Sequence, residues 1–215
     1  VGLRINNTDE EIVSNLKNAG CERVLFGIEC GNEPIRNQLL KRNISDMQII
    51  SVTQLLRKYK IFPVSFNIIG LPDEHVENVF ETINLNIKAG VKFSYCTIYQ
   101  PYPKTELAEY CISKGYYDGS VENIPGSYNL GGSPLKTPDI QQIIRTSSFF
   151  SMCITFPFLI PLVKRLIKLK FNRFYVFLFI IYRGYMNVVF MKDLSLGEVI
   201  KDIIIIRKHP KKIYY

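Results

Sequence analysis

Between residues 1 and 115, short apolar runs alternate four times with amphipathic stretches that carry helix start and stop signals. A strand followed by a crossover helix returns to the same edge of its sheet, so successive strands become parallel and the fold becomes α/β. Crossovers of this kind are right-handed. Val1–Ile5 reads as a short buried strand, and Thr8-Asp9-Glu10-Glu11 as a capping box. The helix it opens has Ile12, Val13, Leu16 and Ala19 on its apolar face and Gly20 as its stop. Val24–Ile28 is the second strand. Ser45-Asp46-Met47-Gln48 is a second capping box, ahead of Ile49, Val52, Leu55, Leu56 and Tyr59 at helical spacing. Pro63–Ile69 is the third strand, with proline at a permitted first position. Glu74–Ala89 is a helix ended by Gly90, Phe93–Tyr99 the fourth strand, and Thr105 caps a last helix that stops at Gly115. The pattern fits an open doubly wound sheet or part of a barrel.

In either architecture, ligands bind at the carboxyl ends of the strands. The third strand ends most abruptly, where Phe66-Asn67-Ile68-Ile69 runs into the turn Gly70-Leu71-Pro72 and an acid-capped helix. The second strand ends at Glu29, and Arg42 follows thirteen residues later at the expected end of a short helix. A carboxylate and an arginine near one rim could hold the hydroxyls and carboxylate of a small zwitterion, because the guanidinium binds a carboxylate through two parallel hydrogen bonds. Taken alone, Glu29 also reads as a helix cap or loop carboxylate, and Arg42 as a solvated helix end that complements the dipole. Gly70 alone also reads as a plain turn.

Charge divides the chain. Residues 151–215 hold 12 Lys/Arg against 3 Asp/Glu, a net of +9, whereas residues 1–150 hold 15 against 16, a net of −1. We place the boundary so that residues 1–136 form the α/β unit and residues 137–215 a basic, apolar, helical extension. Phe149–Val163 is interrupted by Pro157 and Pro161, and Phe174–Tyr182 is closed by Arg183. Both fall short of the ~20 residues that span a bilayer. Lys164, Arg165, Lys168, Lys170 and Arg173 interleave with Leu166, Ile167, Leu169 and Phe171. That stretch packs on the α/β unit with a solvated basic face, or lies on a membrane surface. No groove-reading motif accompanies the charge, so nucleic acid is not expected. The five cysteines include no Cys-x-x-Cys pair and read as small buried hydrophobes; their odd number, without a signal peptide, points to a reducing, cytosolic compartment. The opening Val-Gly-Leu-Arg-Ile, with no initiator methionine, suggests a fragment or a truncated reading frame.

The ordered set Ala19-Gly20-Cys21, Phe26-Gly27-Ile28-Glu29-Cys30-Gly31, Leu40-Lys41-Arg42-Asn43, Phe66-Asn67-Ile68-Ile69-Gly70-Leu71-Pro72 and Gln100-Pro101-Tyr102-Pro103-Lys104-Thr105-Glu106-Leu107 resembles the second half of a radical S-adenosylmethionine (SAM) enzyme. It is most similar to the group with an upstream cobalamin-binding domain. The resemblance implies a partial TIM-like (β/α)6 barrel that lacks its first strands here, with Val1–Ile5 as the third barrel strand. It also implies reductive cleavage of SAM to a 5′-deoxyadenosyl radical, with cobalamin-dependent methyl transfer or related C–H chemistry as the outcome. By the same resemblance, Glu29 meets the SAM ribose, Arg42 the methionyl carboxylate, and Ile68 and Gly70 the adenine. Arg4 matches an arginine at the end of the third strand. Phe66 stands where the family motif has its first glycine, and either Asp73 or Glu74 takes its acidic position. The Cys-x3-Cys-x2-Cys loop that holds the family's [4Fe–4S] cluster is not among these residues. The chain alone is therefore expected to bind no cluster and to pair with the missing half of the barrel, around an unknown small-molecule substrate. The alternative expectation is a non-catalytic basic scaffold docked on a membrane surface or a partner protein.

Overall fold

The structure, a computed structural model, describes residues 2–125, 132–186 and 188. Val1 and the last part of the basic extension lie outside the described residues.

Four strands, β1 (Gly2–Leu3), β2 (Arg23–Glu29), β3 (Phe62–Ile69) and β4 (Phe93–Ile98), form one parallel sheet in the order β1-β2-β3-β4. Between them run α1 (Glu10–Asn18), α2 (Asp46–Lys58) and α3 (Val76–Ala89), and α4 (Glu106–Ser113) follows β4. A doubly wound sheet reverses its strand order at a switch point. This sheet does not reverse, and α2 and α3 pack together over one of its faces, where Val24, Phe26 and Ile28 of β2 meet Ile49, Val52 and Leu56 of α2 and Leu85 and Ala89 of α3. Consecutive order with helices on one side is the geometry of a barrel wall, so the architecture is a partial TIM-like barrel with a helical extension.

The expected element types hold, with local departures. β1 is shorter than Val1–Ile5, because Ile5–Asn7 turns into a 3-10 helix whose Thr8 N–H donates to the Ile5 carbonyl. Asp9, not Thr8, caps α1: its carboxylate accepts from Ile12 N–H at 2.9 Å, while the Thr8 hydroxyl donates to the Arg4 carbonyl. The Ser45 box forms as read, with both reciprocal bonds present. Pro63 sits second in β3, since Phe62 N–H already bonds the Glu22 carbonyl. Helix α3 starts at Val76 rather than Glu74.

The extension forms α5 (Ile140–Ser147), α6 (Phe150–Thr155), α7 (Ile160–Leu166) and α8 (Asn172–Met186). Ile143, Phe149, Phe150, Cys153, Val163 and Tyr175 share one apolar core with Ile69 of β3, Ile98 of β4 and Val79, Phe80 and Ile83 of α3. The stretch Lys164–Arg173 is not one amphipathic helix, because α7 ends at Leu166 and α8 begins at Asn172. Strand alternation puts Leu25, Val64 and Phe93 on the concave face, opposite α2 and α3. There Tyr182 and Met186 of α8 and Met152 and Phe156 near α6 cover them. The extension thus floors the concave face towards the amino ends of the strands and leaves the carboxyl ends above it.

Candidate functional site at the carboxyl rim

The parallel register stacks the concave side chains in layers. Leu25 aligns with Val64 and Val64 with Phe93; one layer up, Gly27 aligns with Phe66 and Phe66 with Tyr95; at the rim Ile68 aligns with Thr97, and Glu29 is opposite Asn67 after a bulge. Phe66 stacks on Tyr95 at 5.1 Å and remains 39% exposed, so the middle layer presents a flat aromatic surface.

Glu29 ends β2 with φ +66, a left-handed backbone that a side chain rarely adopts, and the register of the strand shifts between Gly27 and Glu29. This turn sends the carboxylate back over its own strand, where a Cβ on Gly27 would collide with Glu29 Oε1. Gly27 is thus the space that the Glu29 side chain occupies. Burial pushes the Glu29 carboxyl up, and the Arg42 guanidinium pulls in the opposite direction. Arg42 Nη2 donates to Glu29 Oε1; the arginine side chain is 45% exposed and the glutamate 12%. A strained backbone, a cleared neighbour and a shielded carboxylate at one strand end form a pattern that marks functional sites.

Arg42 does not end a helix. Ile35–Leu39 is a single π-helical turn, and Lys41 and Asn43 on either side of Arg42 have φ of +52. What fixes this loop is Arg36, which the sequence reading missed. Its side chain is fully buried: Nη1 donates to the Cys30 carbonyl at 2.8 Å, Nε to the Ile44 carbonyl at 2.9 Å, and Nη2 to Asp46 at 2.7 Å and Glu33 at 3.3 Å. One guanidinium joins the end of β2 to the start of α2, and Arg42 lies on the loop between. Lys41 also reaches Glu106 of α4 at 2.6 Å, an exposed pair.

Ile68 lies on the concave side of β3 and is half-buried. Gly70 has φ +74, and a Cβ there would point away from the rim, 3.3 Å from Ile140 Cδ1 of α5. The acidic position of the turn divides between two residues. Glu74, 2% exposed, accepts from Gly70 N–H at 2.6 Å and Leu71 N–H at 3.1 Å, with the Cys30 thiol 3.9 Å from its other oxygen. Burial pushes its carboxyl up to about 8. Asp73, at φ +62, instead accepts from the Tyr110 and Tyr116 hydroxyls at 2.5 and 2.8 Å. Glu74 therefore shapes the Gly-Leu-Pro turn, and Asp73 ties it to α4. Arg4 is exposed just beyond β1.

Residues 1–85 match the family model described as Radical SAM superfamily. Across 110 residues, 51% of this chain, the sequence is 34% identical to an uncharacterized methyltransferase of Pyrococcus horikoshii. The fold is similar to coproporphyrinogen III oxidase (HemN) from Escherichia coli, described as a radical SAM enzyme, with a TM-score of 0.53, 14% identity and 75% of this chain covered. The chain spans 24% of the length of that methyltransferase and 31% of that oxidase.

The family implies SAM and a [4Fe–4S] cluster, and the two fare differently against these residues. The rim fits SAM: it offers a carboxylate held clear by Gly27, a guanidinium with N–H groups beyond the one Glu29 takes, and an apolar strand end beside a glycine turn. The cysteines do not fit the cluster, which needs thiolates gathered on one loop. Burial pushes Cys30 and Cys153 up to about 12, Cys111 up to about 11 and Cys96 well above the ordinary range, so these thiols resist becoming ligands. Among the described residues, no group of three or more His, Cys, Asp or Glu side chains could hold a metal ion.

Proposed function

We propose that this chain supplies the SAM-binding wall of a radical SAM enzyme that cleaves SAM reductively to a 5′-deoxyadenosyl radical. The observation that carries the reading is the Glu29–Arg42 pair at the carboxyl rim, with Glu29 folded over Gly27. In this reading the unshared N–H groups of Arg42 take the methionyl carboxylate in the paired geometry a guanidinium favours. Glu29 accepts from the ribose hydroxyls, an acceptor role that its ionised form, supported by Arg42, performs best. Ile68 and the backbone of the Gly70 turn flank the adenine, and Glu74 holds that turn in shape.

A [4Fe–4S] cluster, were one bound, would supply the electron for cleavage; the cysteines of this chain do not fit it, so this reading assigns its thiolates to none of them. The methyltransferase-named relative supports methyl transfer as the outcome, and cobalamin would be its cofactor in that version. The five free cysteines suit a reducing, cytosolic compartment. Among the described residues no helix is long and apolar enough to cross a membrane.

Glu29→Ala and Arg42→Ala should each weaken SAM binding by roughly tenfold, the worth of one charge-assisted hydrogen bond. Isothermal titration of the two variants against the parent measures this. Unchanged affinity in both would sink the site assignment.

A further inference from the structure

Residues 140–186 contain seven Lys/Arg and no Asp/Glu. Arg145 is buried, its Nη1 bonded to the Ile167 carbonyl, so the other six cations belong to α7, α8 and the turn between them. Helix α8 is apolar on two sides. Tyr175, Tyr182 and Met186 face inward and are buried. Phe174, Phe177, Ile181 and Tyr185, spaced by three, four and four residues, line the outward side and are 43–52% exposed. An outer helix face that meets only water is normally polar. The stripe continues through Leu169 and Phe171 in the turn, onto α7 at Leu162 and to Phe158 in the 3-10 turn before it, the last 77% exposed. Lys164, Arg165, Lys168, Lys170 and Arg173 stand among these side chains.

We propose that this face lies on an anionic phospholipid surface, with the aromatic and leucine side chains in the acyl boundary and the cations on the phosphates. Long basic side chains suit this arrangement, because their methylene stems cover apolar surface while their heads reach the headgroup layer. The charge selects lipid over a second copy of this chain: two such faces would bring ten cations together with no carboxylate from residues 140–186 between them. Among the described residues neither α7, of 7 residues, nor α8, of 15, is long enough to span a bilayer, and the proposal lays both on the surface. The inference is independent of what the strand rim binds.

The test is co-sedimentation of the full chain with neutral phosphatidylcholine vesicles and with vesicles containing about one-third phosphatidylglycerol. Binding should appear on the anionic vesicles alone and weaken as salt rises. Lys168→Gln/Lys170→Gln/Arg173→Gln should lower partitioning on the order of a hundredfold, at about fivefold per cation. Phe174→Ser/Phe177→Ser keeps every charge and should still lose most of the binding. Both variants alter exposed side chains, so their thermal melts should match the parent's. No binding to anionic vesicles, or equal binding to neutral ones, would overturn the proposal. So would a concentration-dependent dimer that Phe174→Ser/Phe177→Ser abolishes, which would assign the face to a second copy.

Discussion

At the scale of single residues, three side chains define the rim in different ways. Glu29 is strained into a left-handed turn, and the absent side chain of Gly27 gives its carboxylate a place; both features were visible in the sequence only as a glutamate after a short strand. Arg36 was not legible at all. It sits in a polar loop like any surface arginine, and its four partners come from residues 30, 33, 44 and 46, which only the folded loop brings together. Arg36→Met should destabilise the chain by about 1–3 kcal/mol in chemical denaturation, because the Cys30 carbonyl loses its guanidinium donor and the Ile44 carbonyl keeps only Asn37 Nδ2, while the Asp46 and Glu33 carboxylates are part-exposed to water. Glu74 was legible as one of two candidates for an acidic position, and in the structure it is the buried one of the two. Its folded-state pKa, about 8, lies above the ordinary 4.5, so the folded chain binds more protons than the unfolded chain between those values. Its contribution is then full below pH 4.5, declines as pH rises and is gone above pH 8. Glu74→Gln keeps an acceptor for Gly70 and Leu71 N–H without titrating. The variant should gain stability relative to the parent across that window, by on the order of 4 kcal/mol. A constant difference between the two across pH would contradict the assignment.

At the scale of elements, the alternation of strands and helices was legible because each signal is local: the Ser45 box, the Gly90 stop and the Thr105 cap all stand where they were read. The departures arise where two local options compete. Thr8 and Asp9 both offer an oxygen to the start of α1, and Thr8 is diverted to the Arg4 carbonyl. The loop carrying Arg42 is held by Arg36 and two left-handed residues, so helical periodicity could not describe it. The β3–turn–α3 unit was read correctly as a turn, but the reason for Gly70 is now specific. Its φ of +74 and the 3.3 Å approach to Ile140 both disfavour a side chain. Gly70→Ala should cost about 1–2 kcal/mol in thermal or chemical denaturation. A neutral substitution would mean that the turn relaxes freely.

At the scale of the whole molecule, the consecutive order of four parallel strands separates a barrel wall from a doubly wound sheet, a choice the sequence pattern left open. The basic extension was legible as a change of composition, yet not as a floor. Tyr182 and Met186 reach Val64 and Phe93 across 89 to 122 residues of sequence, a pairing that no periodicity marks. The wall, the floor and the rim surround the concave surface above Phe66, between Glu29 and Thr97, where the proposed function places its ligand. Titration of SAM into the isotopically labelled chain, followed by heteronuclear NMR, tests this most directly and detects even millimolar binding. We expect the shift changes to concentrate at Glu29, Arg42, Ile68 and Gly70. Shifts confined to the outer helices, or none at millimolar SAM, would contradict the account.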